Sequence, residues 1–256
     1  MKYPFYIGNL CLLFILFTGS SFAHDISEIV AKVKPSVVGV GVFDPLGAPQ
    51  NKLQGTGFVI GDGSIIATNY HVVDSELETG SKQSRVVFIG TGRNPRTIEA
   101  EIIATDPLHD LALLRIKTKL VPLKLSNDAK LPDGKEIAFT GFPIGAILGL
   151  YPATHKGLIA AHTPVITPAS NASQLSVNLL KRLKEPYFVY QLDATAYPGN
   201  SGSPVYELER GEVVAVINKV FVQKTKEFAL TNPSGISYSI PVKFLRKLAL
   251  KNGVKL

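Results

Sequence analysis

Short runs of apolar and β-branched residues, separated by turn-forming residues, place the strongest constraint on how this 256-residue chain can fold. Each run has about the length of one strand, and Gly, Pro, Asn and Asp mark its ends. Such spacing is typical of sandwiches or barrels of antiparallel strands, so the pattern predicts an all-β fold. The runs are SVVGVGVF, GTGFVI, SIIATN, RVVFIG, IEAEIIAT, LALLRI, EIAFTGF, YFVYQLD, EVVAVINKVFV and GISYSI.

Two segments depart from the strand pattern. The C-terminal PVKFLRKLALKNG predicts a helix over residues 241–252, because Pro241 suits a first helical position and Gly253 a helix end. Residues 173–185, SQLSVNLLKRLKE, fit a helix or a loop with helical character. A polar stretch at 116–134 connects two β-rich halves.

The first 23 residues have the features of a secretory signal peptide. Lys2 is followed by an apolar run at 7–17 that is too short to span a bilayer comfortably, and small residues lead up to Ala23. An uncleaved N-terminal anchor is the alternative. The only cysteine, Cys11, lies in this segment, which excludes thiol chemistry from a mature chain that begins at His24. A secreted protein without disulfides suits a bacterial periplasm or exterior.

Charge and histidine spacing argue against several classes of partner. The net charge of +7 could attract nucleic acid or an anionic membrane surface, but no stretch interleaves aromatic residues with Lys and Arg. We therefore interpret the basic residues as solvated faces and expect no nucleic-acid partner and no membrane span after signal cleavage. The five histidines are scattered without an HxxxH pair, so we expect no metal and no cofactor.

Two candidate catalytic residues lie near strand ends. His71 follows a strand-like run in ATNYHVV, and Asp110 stands at the start of a buried strand in TDPLHDLALLRI. A carboxylate there is costly unless it is hydrogen-bonded, and a histidine ring N–H is a suitable partner. Each residue has a structural alternative, since a lone histidine is more often structural and a strand-end aspartate often caps a turn. Asp106 fits the capping role better.

The stretch AYPGNSGSPV supplies a candidate nucleophile. Acyl transfer needs a serine activated by a histidine and two backbone N–H groups aimed at the oxyanion. The N–H groups of Gly199 and Ser201 meet that requirement, and Gly202 leaves room for a substrate. Ser201 is favoured over Ser203 because only Ser201 has glycines at both required places. The order His, Asp, Ser is the one used by two-barrel proteases of the chymotrypsin type.

Together these motifs resemble the protease domain of HtrA/Deg-type trypsin-like serine peptidases over about residues 33–248. The resemblance is carried by PSVVGVGV, GTGFVIGDGSIIATNYHVV, DPLHDLALLRI, GFPIG, QLDATAYPGNSGSPV, VVAVIN and GISYSIPVKFL. It implies a chymotrypsin-like double barrel of two six-stranded antiparallel β-barrels, about 33–118 and 133–240, followed by the C-terminal helix.

The resemblance also assigns roles to residues. It implies that His71 is the general base, that Asp110 fixes its tautomer, and that Ser201 is the nucleophile. The N–H groups of Gly199 and Ser201 would form the oxyanion hole. The chain departs from the family at Ser203, where a second glycine is usual, and over residues 162–187. No PDZ domain is expected after the protease domain, which covers 24–256.

Specificity follows from the same resemblance. An acidic residue six positions before the nucleophile selects Lys or Arg in trypsin-like enzymes, and here that position is the uncharged Thr195. The pocket walls would include Val216, Ile217 and Asn218 and residues of GISYS at 235–239. We therefore predict a preference for uncharged, small-to-medium aliphatic residues before the scissile bond.

The sequence predicts a serine endopeptidase that acts on polypeptides, including unfolded proteins, in the periplasm or outside the cell. The alternative is a catalytically weak chaperone-like or peptide-binding protein on the same fold. Both a monomer and a homotrimer are compatible with the sequence.

Overall fold

A computed structural model describes most of the chain. The predicted signal peptide at 1–23 and the predicted helical stretch at 173–185 lie outside the described residues. The described residues are 25–75, 77, 82–127, 130–143, 149–165, 186–218 and 235–256.

Six antiparallel strands form the first barrel, in the spatial order β1-β2-β3-β6-β5-β4. The barrel closes because β1 pairs with both β2 and β4, which removes free strand edges. Val59, Ile66 and Leu114 are fully buried in its interior. The strands are β1 (Val37–Phe43), β2 (Asn51–Ile60), β3 (Ile65–Thr68), β4 (Ser84–Ile89), β5 (Arg96–Asp106) and β6 (Leu111–Ile116).

The second barrel repeats this arrangement, in the order β10-β11-β12-β9-β8-β7. Ile137, Phe139 and Ile217 are fully buried in its interior. The prediction of two six-stranded antiparallel barrels is confirmed. The strands are β7 (Glu136–Gly141), β8 (Ala153–Pro164), β9 (Phe188–Asp193), β10 (Pro204–Glu207), β11 (Val213–Asn218) and β12 (Ile236–Pro241).

A helix precedes the first barrel and another follows the second. Helix α1 (Ile26–Val33), which the sequence analysis did not predict, begins at Asp25, whose carboxylate accepts the Ser27 N–H. The C-terminal helix was predicted and is confirmed as α2 (Val242–Lys251). Among the described residues, no helix has the length and apolar character needed to cross a membrane.

A third hydrophobic core lies between the barrels. It combines Phe58 and Leu111 of the first barrel with Phe142 and Tyr206 of the second, and Leu245 of α2 packs into the same cluster. Each of these side chains is at most 1% exposed. Burying a large apolar side chain contributes about 1.5–3 kcal/mol, so this core fixes the relative position of the barrels.

Candidate active site

His71 and Asp110 meet at the edge of the first barrel. His71 lies in a short 3-10 turn, Tyr70–Val72, that follows β3. Asp110 is the last residue of the turn between β5 and β6. One carboxylate oxygen, Oδ2, lies 2.6 Å from His71 Nδ1, and the other, Oδ1, accepts the His71 backbone N–H at 2.8 Å. This pairing places the proton of a neutral His71 ring on Nδ1, so Nε2 keeps its lone pair and can act as a base.

The Asp110 carboxylate is buried and has a third donor. Its side chain is only 9% exposed, and Asn218 Nδ2 donates to Oδ2 at 2.7 Å. Asn69 Nδ2 donates to the Asp110 backbone carbonyl at 3.0 Å. The donors from His71 and Asn218 offset the cost of removing the carboxylate from water and fix both of its oxygens, while Asn69 fixes the backbone of Asp110.

Sequence reasoning missed the role of Asn218 as a hydrogen-bond donor to Asp110. The sequence analysis placed Asn218 in a pocket wall, but its side chain is fully buried and its amide donates to Asp110. An amide at the end of the apolar run VVAVIN was the available signal, because a buried amide needs hydrogen-bond partners.

Ser201 follows a tight turn. The Asn200 N–H donates to the Tyr197 carbonyl at 3.0 Å, with Pro198 and Gly199 in the two central positions. Gly199 has a φ of +97°, which only glycine adopts without strain and which a type II turn requires at this place. Ser201 itself is 6% exposed.

The Ser201 loop packs against strand β2 and against the turn that carries His71. The Thr56 N–H of β2 donates to the Ser201 carbonyl at 2.8 Å. A Cβ added at Gly55 would lie 2.7 Å from Val72 Cγ2 and 3.0 Å from the Ser201 carbonyl oxygen. Gly55 therefore allows the loop and the His71 turn to approach each other closely.

Thr56 also holds the loop through its hydroxyl. Thr56 Oγ1 donates to the Gly199 carbonyl at 2.7 Å and accepts the Phe142 N–H at 3.1 Å. Across the described part of the chain, the N–H groups of Gly199 and Ser201 donate to no acceptor. Both donors are thus available for a negatively charged oxygen.

Ser203, which departs from the family pattern, fits because of a glycine across the core. Ser203 is fully buried, and a Cβ at Gly141 of β7 would lie 2.0 Å from its Oγ. Gly141 therefore leaves the space that the Ser203 hydroxyl occupies. The Ser203 N–H donates to the Asn200 carbonyl at 3.0 Å, so the serine keeps a regular place in the loop.

The remaining predicted pocket residues differ in exposure. Thr195 is partly exposed. The side chains of Val216 and Ile217 are fully buried in two different hydrophobic clusters. Only their backbone groups can contact a substrate. Among the described residues, no cluster of three or more His, Cys, Asp or Glu side chains could hold a metal ion.

Comparison with known proteins identifies relatives of this chain. The profile of the "Trypsin-like peptidase domain" family matches residues 55–216. The chain is 27% identical over 202 residues to a Pseudomonas putida (strain GB-1) protein named "Probable periplasmic serine endoprotease DegP-like", covering 77% of this chain and 35% of that protein. It is 30% identical over 228 residues to "Serine protease HTRA2, mitochondrial" of Drosophila grimshawi, covering 86% and 46%.

A solved structure shares the fold. The HtrA-type protease AlgW, solved with a tripeptide, superposes with a TM-score of 0.63 at 21% identity, covering 88% of this chain and 62% of that one. The chain spans less than half the length of the two curated relatives, 35% of one and 46% of the other.

Proposed function

This chain belongs to the trypsin-like peptidase family, in its HtrA type, and we propose that it is a serine endopeptidase that hydrolyses polypeptides through an acyl-enzyme. The observation that carries the proposal is the double contact between Asp110 and His71. One carboxylate oxygen holds the ring N–H and the other holds the backbone N–H of the same residue. A histidine fixed at both points presents Nε2 as a base in one orientation.

His71 moves the proton in both halves of the reaction. Its Nε2 takes the Ser201 Oγ proton as Oγ bonds to the substrate carbonyl carbon, and the carbonyl π electrons move to oxygen. Nε2 then gives the proton to the departing amine as the C–N bond breaks, leaving the acyl group on Ser201. A water molecule, deprotonated by the same Nε2, attacks the acyl carbon. Nε2 then returns that proton to Ser201 Oγ as the ester C–O bond breaks and the acid is released.

The N–H groups of Gly199 and Ser201 are the proposed oxyanion hole. Support comes from the turn that orients Gly199 and from Thr56, whose backbone N–H and hydroxyl donate to the Ser201 and Gly199 carbonyls of the same loop. Removing one such donor costs about 10²- to 10³-fold in kcat in other acyl-transfer enzymes. A turn that holds both N–H groups in place therefore favours a higher kcat than a mobile loop would.

We infer that the residue before the scissile bond is uncharged and aliphatic. Thr195, six positions before Ser201, carries no charge and is partly exposed. The backbone of Val216, Ile217 and Asn218 would line the neighbouring side. Without a carboxylate at position 195, a substrate Lys or Arg would lose hydration without gaining an ion pair.

The proposed location is the periplasm or the cell exterior. The DegP-like relative is named as periplasmic. Residues 1–23 combine a positive start, an apolar run and small residues at Ala23, as an export signal requires.

The decisive experiment compares three proteins that begin at His24. Wild type and Ser203→Ala should both degrade casein and bind a fluorophosphonate probe, whereas Ser201→Ala should do neither. Ser203 is the matched control because it is a buried serine two positions from the candidate nucleophile. A cleavage-site profile of the wild type then tests the preference before the scissile bond.

Two results would contradict the proposal. Undiminished casein cleavage by pure Ser201→Ala protein would exclude Ser201 as the nucleophile. Folded wild type that neither cleaves casein nor binds the probe, but suppresses aggregation of unfolded proteins, would favour the chaperone-like alternative.

A further inference from the structure

A second histidine–aspartate pair lies directly before Asp110. His109 Nδ1 lies 2.6 Å from Asp106 Oδ2, and the His109 backbone N–H donates to Asp106 Oδ1 at 3.2 Å. Burial alone would raise the pKa of Asp106, but the hydrogen bonds and charge of His109 outweigh it and lower that pKa. The carboxylate therefore stays charged at neutral pH and the pair stays intact. Asp106 thus does cap the turn, and its partner is the residue next to Asp110.

The other side of the His109 ring is held by aromatic residues. The ring stacks on Phe244 of α2, with centroids 4.0 Å apart and planes 21° apart, and meets Tyr187 at 4.6 Å in an edge contact. Phe244 and Tyr187 also contact each other at 5.3 Å. Lys243 Nζ lies 4.9 Å from the Phe244 centroid. His109 is consequently fixed between its own turn, the C-terminal helix and the residue preceding β9.

Asp110 adopts a backbone conformation that needs such support. Its φ of +52° is the one positive φ at a non-glycine position among the described residues. In this conformation a residue other than glycine lowers the stability of the fold by about 1–2 kcal/mol. Such strain persists only where contacts with the surrounding structure hold the backbone in place. Asn69, which holds the Asp110 carbonyl, acts on the C-terminal side of this residue. The peptide on its N-terminal side belongs to His109.

We propose that His109 is a positioning residue for the triad: fixed by Asp106 and by Phe244, it holds the turn in the shape that aims both Asp110 carboxylate oxygens at His71. The proposal rests on the proposed function for its catalytic meaning. His109 touches no reacting atom in this scheme. It acts through the peptide that leads into Asp110.

The test compares His109→Ala with His109→Asn. Asparagine places an amide N–H near the position of His109 Nδ1 and so can still donate to Asp106, but it loses the aromatic stacking. His162→Ala is the matched control, because His162 Nδ1 also pairs with an aspartate, Asp133 Oδ1 at 2.8 Å, and its ring also meets a tyrosine. Each variant is measured for kcat and KM on a peptide substrate and, by NMR, for the chemical shift of the His71 Nδ1–H proton.

We expect His109→Ala to lower kcat about 10- to 100-fold, as small displacements of catalytic groups do, with KM within about twofold. His109→Asn should recover about half of that loss on a logarithmic scale. The NMR signal of the His71 Nδ1–H proton should move upfield in His109→Ala, because a misaligned Asp110 lengthens the 2.6 Å contact between Oδ2 and Nδ1. His162→Ala should change neither kcat nor that chemical shift.

An unchanged His71 Nδ1–H chemical shift and kcat in folded His109→Ala would overturn the proposal, as would an equal change in His162→Ala. If His109→Ala does not fold, an unchanged Nδ1–H chemical shift in both His109→Asn and Phe244→Leu would overturn it. The NMR measurement needs no substrate. Wild type without Ser201-dependent turnover would therefore refute the peptidase, while the His71 Nδ1–H chemical shift would still decide the role of His109.

Discussion

The pairing of Ser203 with Gly141 makes a quantitative prediction about stability. Ser203 Oγ is fully buried and has no hydrogen-bond partner among the described residues. Hiding a hydroxyl in this way costs about 1–3 kcal/mol, and alanine keeps the Cβ while removing the hydroxyl. We expect Ser203→Ala to raise the free energy of unfolding by about 1 kcal/mol, which is about 2–4 °C in Tm for a chain of this size.

Gly141→Ala should do the reverse, and only while Ser203 is present. The new Cβ would lie 2.0 Å from Ser203 Oγ, whereas real Cβ contacts essentially never fall below 3.0 Å. Forcing the two apart amounts to overpacking, which costs about 1–3 kcal/mol. In the Ser203→Ala background the nearest remaining atoms, Asn200 Oδ1 and Thr56 Oγ1, lie at 2.9 Å, just inside that limit, so the severe clash disappears and a smaller cost remains.

The assay is a double-mutant cycle in urea at neutral pH, with Tm as a second measure. The coupling between the two sites should be about 1–2 kcal/mol, within the range found for residues in contact. Ser237→Ala is the matched control. Ser237 is also buried, but its Oγ donates to the Ala194 carbonyl at 2.5 Å, so its removal should destabilise the protein.

Additivity would refute this reasoning. If Gly141→Ala costs the same in both backgrounds to within about 0.3 kcal/mol, the two sites do not compete for space. If Ser203→Ala destabilises as much as Ser237→Ala does, the Ser203 hydroxyl contributes hydrogen bonding that the packing argument leaves out.

Three further predictions concern single residues. Asn218→Ala should lower kcat about 10- to 100-fold in a peptide assay, because it removes the 2.7 Å donor to buried Asp110, and unchanged kcat would contradict that role. Burial lowers the pKa of His155 below 6.5, so the unfolded chain binds more protons than the folded one and the free energy of unfolding falls as pH drops through 6.5. The urea midpoint should therefore fall between about pH 7.5 and about pH 5.5, and it should fall less in His155→Phe than in wild type. Gly202→Ala should cost at least about 3 kcal/mol by urea unfolding, since its φ is +85° and its Cβ would lie 2.1 Å from the Thr56 carbonyl oxygen; wild-type stability would contradict this.

The sequence predicted an all-β fold because strand and turn signals are local. Apolar runs bounded by turn residues are visible in a single chain, whereas the two six-stranded barrels, which are confirmed, were expected from the resemblance to HtrA/Deg-type peptidases. Helix α1 was missed because its eight residues, ISEIVAKV, are as rich in β-branched side chains as a strand. Its N-cap, Asp25, was the signal that could have identified it.

In the candidate site, too, local motifs identified some residues, and contacts between distant parts of the chain hid others. His71 and Asp110 were proposed as partners from their motifs, and in the structure His71 Nδ1 lies within hydrogen-bond distance of Asp110 Oδ2, at 2.6 Å. Asn218 was assigned to a pocket wall because its contact with Asp110 joins a strand of the second barrel to a turn of the first, 108 positions away. Thr56 was not singled out at all. Its partner Gly199 is 143 positions away, and no local pattern reports such a contact.

Thr56 has a consequence for any attempt to exchange parts between relatives. A first-barrel threonine bonds to the carbonyls of Gly199 and Ser201 and to the N–H of Phe142, all in the second barrel. A chimera that grafts a foreign first barrel onto this second barrel would inherit the serine but not the shape of its loop. It would need a hydroxyl and a free amide N–H at the position of Thr56 as well.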